Sequence, residues 1–186
     1  MKLVLASASP RRQELLRTAR IPFTVRPAEV DEQPLANESP EACVRRLAEA
    51  KARASWQPGE LTLGADTVVT LDGLILGKPS DAADARRMLR LLSGRSHQVL
   101  TGICLYDGTK TRATVETTEV EFLELTNEEI DAYVAGGDPL DKAGAYGIQG
   151  KASMFIETIN GSYTGVVGLP IFETARLLGH FGFQLL

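Results

Sequence analysis

The chain has 186 residues, 44% of them apolar and 24% charged, and a net charge of −4. A chain of this length buries about 70% of its unfolded surface, so it folds without needing disulfides or a structural metal. The acidic balance argues against a general nucleic-acid binder, which needs a basic face, and six Phe, four Tyr and one Trp leave little to stack bases on.

Lys2–Leu5 is a short apolar run and is expected as a buried strand. Ser9-Pro10 then opens a helix, with Ser9 as N-cap, Pro10 in the first turn, and Leu15 and Leu16 as its apolar stripe. Ser39-Pro40 starts a second helix in the same way, with Val44, Leu47, Ala48 and Ala52 near helical spacing. Residues 61–71 read as a strand that Asp72-Gly73 turns into a short partner at 74–76. Residues 81–92 are helical and stop at Ser93-Gly94.

Residues 97–106 and 111–125 form a long hairpin about Asp107-Gly108, and a change of parity at Phe122-Leu123 predicts a bulge there. Thr126 with Glu129 is a capping box for a helix ending at Gly136-Gly137. A loop with Gly144, Gly147 and Gly150 leads into a strand at 154–159, Asn160-Gly161 turns it, and Leu169-Pro170 opens the last helix. No repeat or low-complexity stretch interrupts the chain, so a single domain over 1–186 is expected, α/β in class, with a mixed sheet flanked by helices.

No run of about 18 apolar residues is present to span a bilayer, and the segment before Ser7 is too short for a secretory core. A cytoplasmic protein with no membrane or nucleic-acid partner is expected. Cys43 and Cys104 share no paired spacing and sit among apolar neighbours, as buried free thiols do. His97 and His180 are isolated, which nearly excludes a Cys/His zinc site and leaves a Ser-His-Asp triad dependent on partners brought by the fold. If the chain is an enzyme, its chemistry must come from carboxylates, Arg, Lys, Ser and backbone.

Charge is segregated near the start. Lys2, Arg11, Arg12, Arg17, Arg20 and Arg26 stand against Glu14 alone, and then Glu29, Asp31, Glu32, Glu38 and Glu41 follow with no base among them. This is either a set of solvated surface pairs or a cleft for a polyanion and its metal. The helix start at Ser9 presents free N–H groups and a positive dipole end, to which Ser7 and Ser9 add hydroxyls and Arg11 and Arg12 add guanidinium forks. An ordinary cap with two exposed arginines is the plain alternative. Gly64-Ala-Asp66-Thr67 places a carboxylate in an apolar strand, as a metal ligand, a general base or a structurally satisfied Asp.

These residues carry a resemblance. Residues 5–16 (LASASPRRQELL), 64–69 (GADTVV), 77–79 (GKP), 141–150 (DKAGAYGIQG), 160–163 (NGSY) and 166–170 (VVGLP) resemble the Maf family, nucleoside triphosphate pyrophosphatases once described as septum-formation inhibitors. The resemblance covers the whole chain in order. It implies an ITPase-like mixed sheet with two lobes around a central cleft, often in a homodimer. It also implies metal-assisted hydrolysis, with Mg²⁺ or Mn²⁺, of a nucleoside triphosphate to the monophosphate and pyrophosphate.

Position by position, Asp66 matches the family's proton acceptor, Ser9, Arg12 and Lys78 its phosphate-handling residues, and Glu32 an acidic cleft residue that with Asp66 would hold the metal. Arg11, Thr67 and Gln149 fall where the family sorts substrates, and the Tyr-Gly-Ile-Gln-Gly form is similar to the group acting on dTTP and UTP. Gly165 stands where many members have Asn, so no role of that side chain carries over. Two alternatives stay open: a house-cleaning enzyme for modified pyrimidine nucleotides, and a nucleotide-binding regulator of septum formation that acts through a protein partner.

Overall fold

The computed structural model describes residues 1–185. Strand β1 (Lys2–Leu5) and helix α1 (Pro10–Thr18) are joined by residues 6–9, and Ser9 caps α1 by accepting from the Arg12 N–H at 3.5 Å. Strand β2 (Thr24–Val25) precedes α2 (Pro40–Ala54), whose N-cap Ser39 accepts from the Ala42 N–H at 3.2 Å. Strand β3 (Glu60–Leu71) turns at Asp72-Gly73, both at positive φ, into β4 (Leu74–Leu76). Next come α3 (Ala82–Leu92), β5 (Ser96–Tyr106), β6 (Thr111–Phe122) and α4 (Asn127–Ala135), the last with both bonds of the Thr126/Glu129 capping box formed. Strand β7 (Ile156–Asn160), α5 (Tyr163–Val167) and α6 (Ile171–His180) complete the order.

Several expectations shift by a few residues. Strand β6 ends at Phe122 rather than 125, and its register slips between Glu121 and Phe122, one position before the expected bulge. Lys151–Phe155 is a 3₁₀ turn that leaves Met154 in solvent, so β7 starts at Ile156 rather than 154. A short apolar run cannot by itself separate these conformations. Strand β2 and helix α5, of two and five residues, are too short for any periodicity to register.

The strands form one mixed sheet in the order β2-β1-β3-β5-β6-β7, with β4 also on β3. Strand β1 runs parallel to β3 as far as Leu5 opposite Leu63, and β4 pairs antiparallel from Val69 onward. Both use the same edge of β3, because β5 takes the other edge from Thr62 to Thr70. Among the described residues no strand pairs with that edge between Leu63 and Val69, and the sheet opens at Gly64-Ala-Asp-Thr-Val68.

Side chains alternate along β3, so Thr62, Gly64, Asp66 and Val68 face one side and Ala65, Thr67 and Val69 the other. Helix α2 crosses the first face over Gly64 and Gly102, so close that a Cβ on either would collide with the Ala48 or Val44 carbonyl. Ala48 and Ala52 pack there with Cys104, and Val44 with Val68 and Leu100. Both cysteines are free and buried, as their neighbours led us to expect. On the opposite face Leu5, Leu16, Leu63, Ala65 and Leu178 form one core with α1 and α6. A second core around Val69, Met88, Leu92, Phe122, Tyr133 and Phe155 holds α3 and α4 to the rest of the sheet.

His97 lies inside this second core, 3% exposed, with Nε2 at 2.7 Å from the Tyr146 hydroxyl and its ring edge-on to Phe122. Burial drives its pKa down to about 4, against a weaker upward pull from the Arg95 backbone. The folded protein therefore refuses a proton that the unfolded chain accepts below about pH 6.5. This contribution to stability is complete above pH 6.5 and falls as pH drops toward 4, by about 3 kcal/mol in all. Urea midpoints measured from pH 7 to pH 4.5 should decline accordingly, and the decline should flatten in His97→Leu. A variant that keeps the wild-type slope would assign the pH dependence to other groups.

Candidate active site

A cleft of about 850 Å³ opens at the break in the sheet. Its wall is built from the β1–α1 turn, the Glu32 segment, α2, the unpaired stretch of β3, the residues after β4, and the loop around residues 138–150. Ser7, Ser9, Arg11, Arg12, Glu32, Asp66, Thr67, Lys78 and Gln149 all border it, although they are far apart in the sequence. Among the described residues neither histidine does.

At its centre is Asp66, on the face of β3 that meets α2. Lys51 of α2 donates to it, Nζ to Oδ1 at 2.7 Å, and the same ammonium meets Glu32 Oε1 at 2.6 Å. The Lys51 and Asp66 side chains are 8% and 12% exposed, whereas Glu32 is 54% exposed. The bond to Lys51 holds the Glu32 carboxyl below the ordinary range, with help from the charges of Lys78 and Arg12 and against partial desolvation. Removing one member of a buried pair of this kind costs about 3–5 kcal/mol, because the other charge is left unmatched.

Lys51 was not visible as a site residue, yet it carried a signal. It continues the spacing of Val44, Leu47 and Ala48 on the buried stripe of α2, a position that calls for an apolar side chain. A lysine inside a core stripe needs an anion, and Asp66 is the matching anomaly in β3.

Thr67 points to the opposite face and meets Arg12. The Arg12 guanidinium donates to the Gly168 carbonyl at 2.7 Å, Ala65 carbonyl at 3.0 Å, Thr67 Oγ1 at 3.1 Å and Ser7 Oγ at 3.2 Å. The Ala65 carbonyl belongs to the unpaired edge of β3, so Arg12 fills the hydrogen-bonding role of the missing strand. Four of its five N–H groups are thereby engaged within the protein. Burial lowers its pKa, opposed chiefly by the charge of Asp66. The network continues through Thr67 Oγ1 to Thr101 at 2.9 Å, and Thr101 donates to the Gly165 carbonyl at 2.8 Å. Gly165 enters this network through its backbone, with Ser162 and Glu116 close to where a side chain would project.

The rest of the rim is more open. Lys78 is exposed, and Ser7 Oγ also accepts from the Ser9 N–H at 3.2 Å. Arg11 reaches Asp141 at 3.5 Å across the mouth, and Lys142 ties the same loop together by donating to the Asp138 carbonyl at 2.6 Å. Gln149 lies exposed on the bordering loop, not buried.

The donor chemistry limits what metal the site can take. Among the described residues no three His, Cys, Asp or Glu side chains gather as a cage. Glu32 and Asp66 are two carboxylates beside open space, which suits a cation whose remaining ligands are water and substrate phosphate, as is usual for Mg²⁺. No helix among the described residues is long and apolar enough to cross a membrane.

A family model described as "Maf-like protein" matches residues 2–181. The dTTP/UTP pyrophosphatase of Symbiobacterium thermophilum is 53% identical over 186 residues, covering 99% of this chain and 96% of its own length. That of Geobacter sp. (strain M21) is 54% identical over 187 residues, 97% of each. The Staphylococcus aureus Ham1 protein structure aligns with a TM-score of 0.45 at 15% identity, over 66% of this chain and 72% of its own, a loose likeness that supports nothing further.

The Arg12 tethers have a measurable consequence. Lysine cannot supply a planar fork to four acceptors, so Arg12→Lys should cost about 2 kcal/mol and, at about 2–4 °C per kcal/mol for a chain of this size, lower Tm by about 4–8 °C. Arg11→Lys, which alters only an exposed contact, should shift Tm by less than about 2 °C. Equal small shifts would show that Arg12 does not hold the broken edge of the sheet.

Proposed function

This chain belongs to the Maf-like protein family, and from that premise we propose that it is a nucleoside triphosphate pyrophosphatase, converting dTTP and UTP to the monophosphate and pyrophosphate with Mg²⁺ or Mn²⁺. The observation that carries the reading is the break in β3, where two carboxylates gripped by one ammonium meet a rim of Arg11, Arg12, Lys78 and the α1 N-terminus. A triphosphate chelated to a cation matches this charge pattern.

Cleavage between the α- and β-phosphates needs a water aimed at the α-phosphorus and neutralisation of charge on the departing pyrophosphate. Asp66, oriented by Lys51, is the group that accepts the proton as that water attacks. The bond from the α-phosphorus to the bridging oxygen breaks, and its electron pair leaves with pyrophosphate. Lys78, the remaining N–H of Arg12 and the Arg11 amide in the first turn of α1 face the developing charge. Glu32 and Asp66 would hold the divalent cation, which would supply Lewis-acid neutralisation of the phosphate charge. A covalent route through Ser7 or Ser9 lacks a base, since His97 is committed to Tyr146 and His180 lies outside the cleft.

Base choice rests on Gln149. Its carboxamide offers both a donor and an acceptor group, matching O4 and N3–H of uracil and thymine, and Arg11 contributes from α1 and Thr67 from β3.

Purified protein should release pyrophosphate from UTP when Mg²⁺ is supplied. Asp66→Asn should keep the fold and lose about 10²–10⁴ in kcat. Nucleotide binding without turnover by the wild type would leave a binding protein. Turnover by Asp66→Asn within about threefold of wild type would remove Asp66 from the mechanism.

A further inference from the structure

His97 and Tyr146 form a buried polar pair that the hydrolytic chemistry does not use. The 2.7 Å contact lies in the core, where Phe122 packs edge-on against both rings at centroid distances of 5.0 and 4.8 Å. An apolar pair at positions 97 and 146 would fill this place with no polar group left to satisfy. Instead His97 leaves its Nδ1 buried without a hydrogen-bond partner among the described residues, a cost to stability. What the pair secures is the placement of one hydroxyl, that of Tyr146.

Tyr146 stands at the base of the loop that carries Gln149. Just before it, Gly144 and Ala145 both have positive φ, 68° and 62°, and for Ala145 that conformation is strained and persists only where its surroundings fix it. The Gly144 N–H donates to the Gly77 carbonyl at 3.1 Å, which pins the loop on its first side. Beyond Tyr146, the Gly147 N–H reaches the Tyr133 hydroxyl only at 3.4 Å. Tyr146 itself borders the cleft, as do Gly147, Ile148, Gln149 and Gly150. The short bond to His97 is therefore the polar side-chain anchor of a segment in which Ile148 is also buried and which ends in the exposed Gln149.

We propose that His97 is a positioning residue: through Tyr146 it fixes residues 147–150 at the cleft wall and so sets the base discrimination exerted by Gln149. This rests on the pyrimidine triphosphate reading above. His97 touches no substrate, and its effect should appear in recognition of the base more than in the chemical step.

The test uses the full-length protein with His97→Leu, Tyr146→Phe and His97→Gln, the last retaining a polar terminus near the position of Nε2. Hydrogen exchange without nucleotide reads the anchoring directly. Amides 147–150 should exchange about tenfold faster in His97→Leu and Tyr146→Phe, the change that one buried hydrogen bond carries, with His97→Gln closer to wild type. The Gly144 amide, held separately, should change little. With UTP and GTP, the first two variants should raise KM for UTP about tenfold, keep kcat within about threefold, and reduce the UTP-over-GTP preference, with partial recovery in His97→Gln.

Unchanged exchange at 147–150 would overturn the proposal. So would an unchanged UTP-over-GTP ratio in variants of an active wild type, or an equal fall in kcat for both nucleotides. A wild type that hydrolyses no nucleotide would instead defeat the functional reading, and exchange would still decide whether His97 anchors the loop.

Discussion

The close approach of α2 to the sheet is the constraint from which the site follows. Gly64 and Gly102 lie on neighbouring strands beneath the helix and have no Cβ to hold it away. The helix backbone settles at a separation that other residues would forbid, and Lys51 is brought to Asp66 with both side chains almost fully buried. Gly102 is also the cross-strand neighbour of Asp66, so one position both admits the helix and borders the carboxylate it serves. A buried charge is tolerable only when paired, and this pairing is built into the main packing contact of the fold.

The second constraint is the interrupted edge of β3. Strand β1 covers its first part and β4 its last, leaving between them a backbone that must find other partners. Arg12 supplies one, and in doing so joins α1, β3 and the Gly168 turn. Because side chains alternate, Asp66 and Thr67 leave the same gap toward opposite faces, one into the ion pair with α2 and the other into the Arg12 network. Adjacent residues thus belong to separate networks around one cleft. Arg12, expected as a phosphate contact, has most of its hydrogen-bonding capacity engaged inside the protein, so any phosphate role rests on what remains.

What was legible in the sequence was short-range chemistry. Ser9-Pro10, Ser39-Pro40, Asp72-Gly73 and the Thr126/Glu129 box specify their caps and turns through contacts within four residues, and each forms as read. Motif resemblance and a carboxylate in an apolar strand single out nine of the residues that border the cleft, with Lys51 not among them. The partnerships were not legible, because they are made by the fold: Lys51 with Asp66, Arg12 with Ala65 and Gly168, and His97 with Tyr146. The misplaced start of β7 and the missed α5 have a plainer cause, since a few residues carry too little pattern to choose between turn, strand and helix.

The most direct measurement is a double-mutant cycle on kcat/KM for UTP with Lys51→Gln, Asp66→Asn and the two together, each checked for an intact fold. If Lys51 acts through Asp66, the double variant should be little worse than the weaker single variant, with a coupling of about 1.5–3 kcal/mol. Losses that simply add would mean that the two residues act independently, and would contradict the view that α2 delivers Lys51 in order to set Asp66.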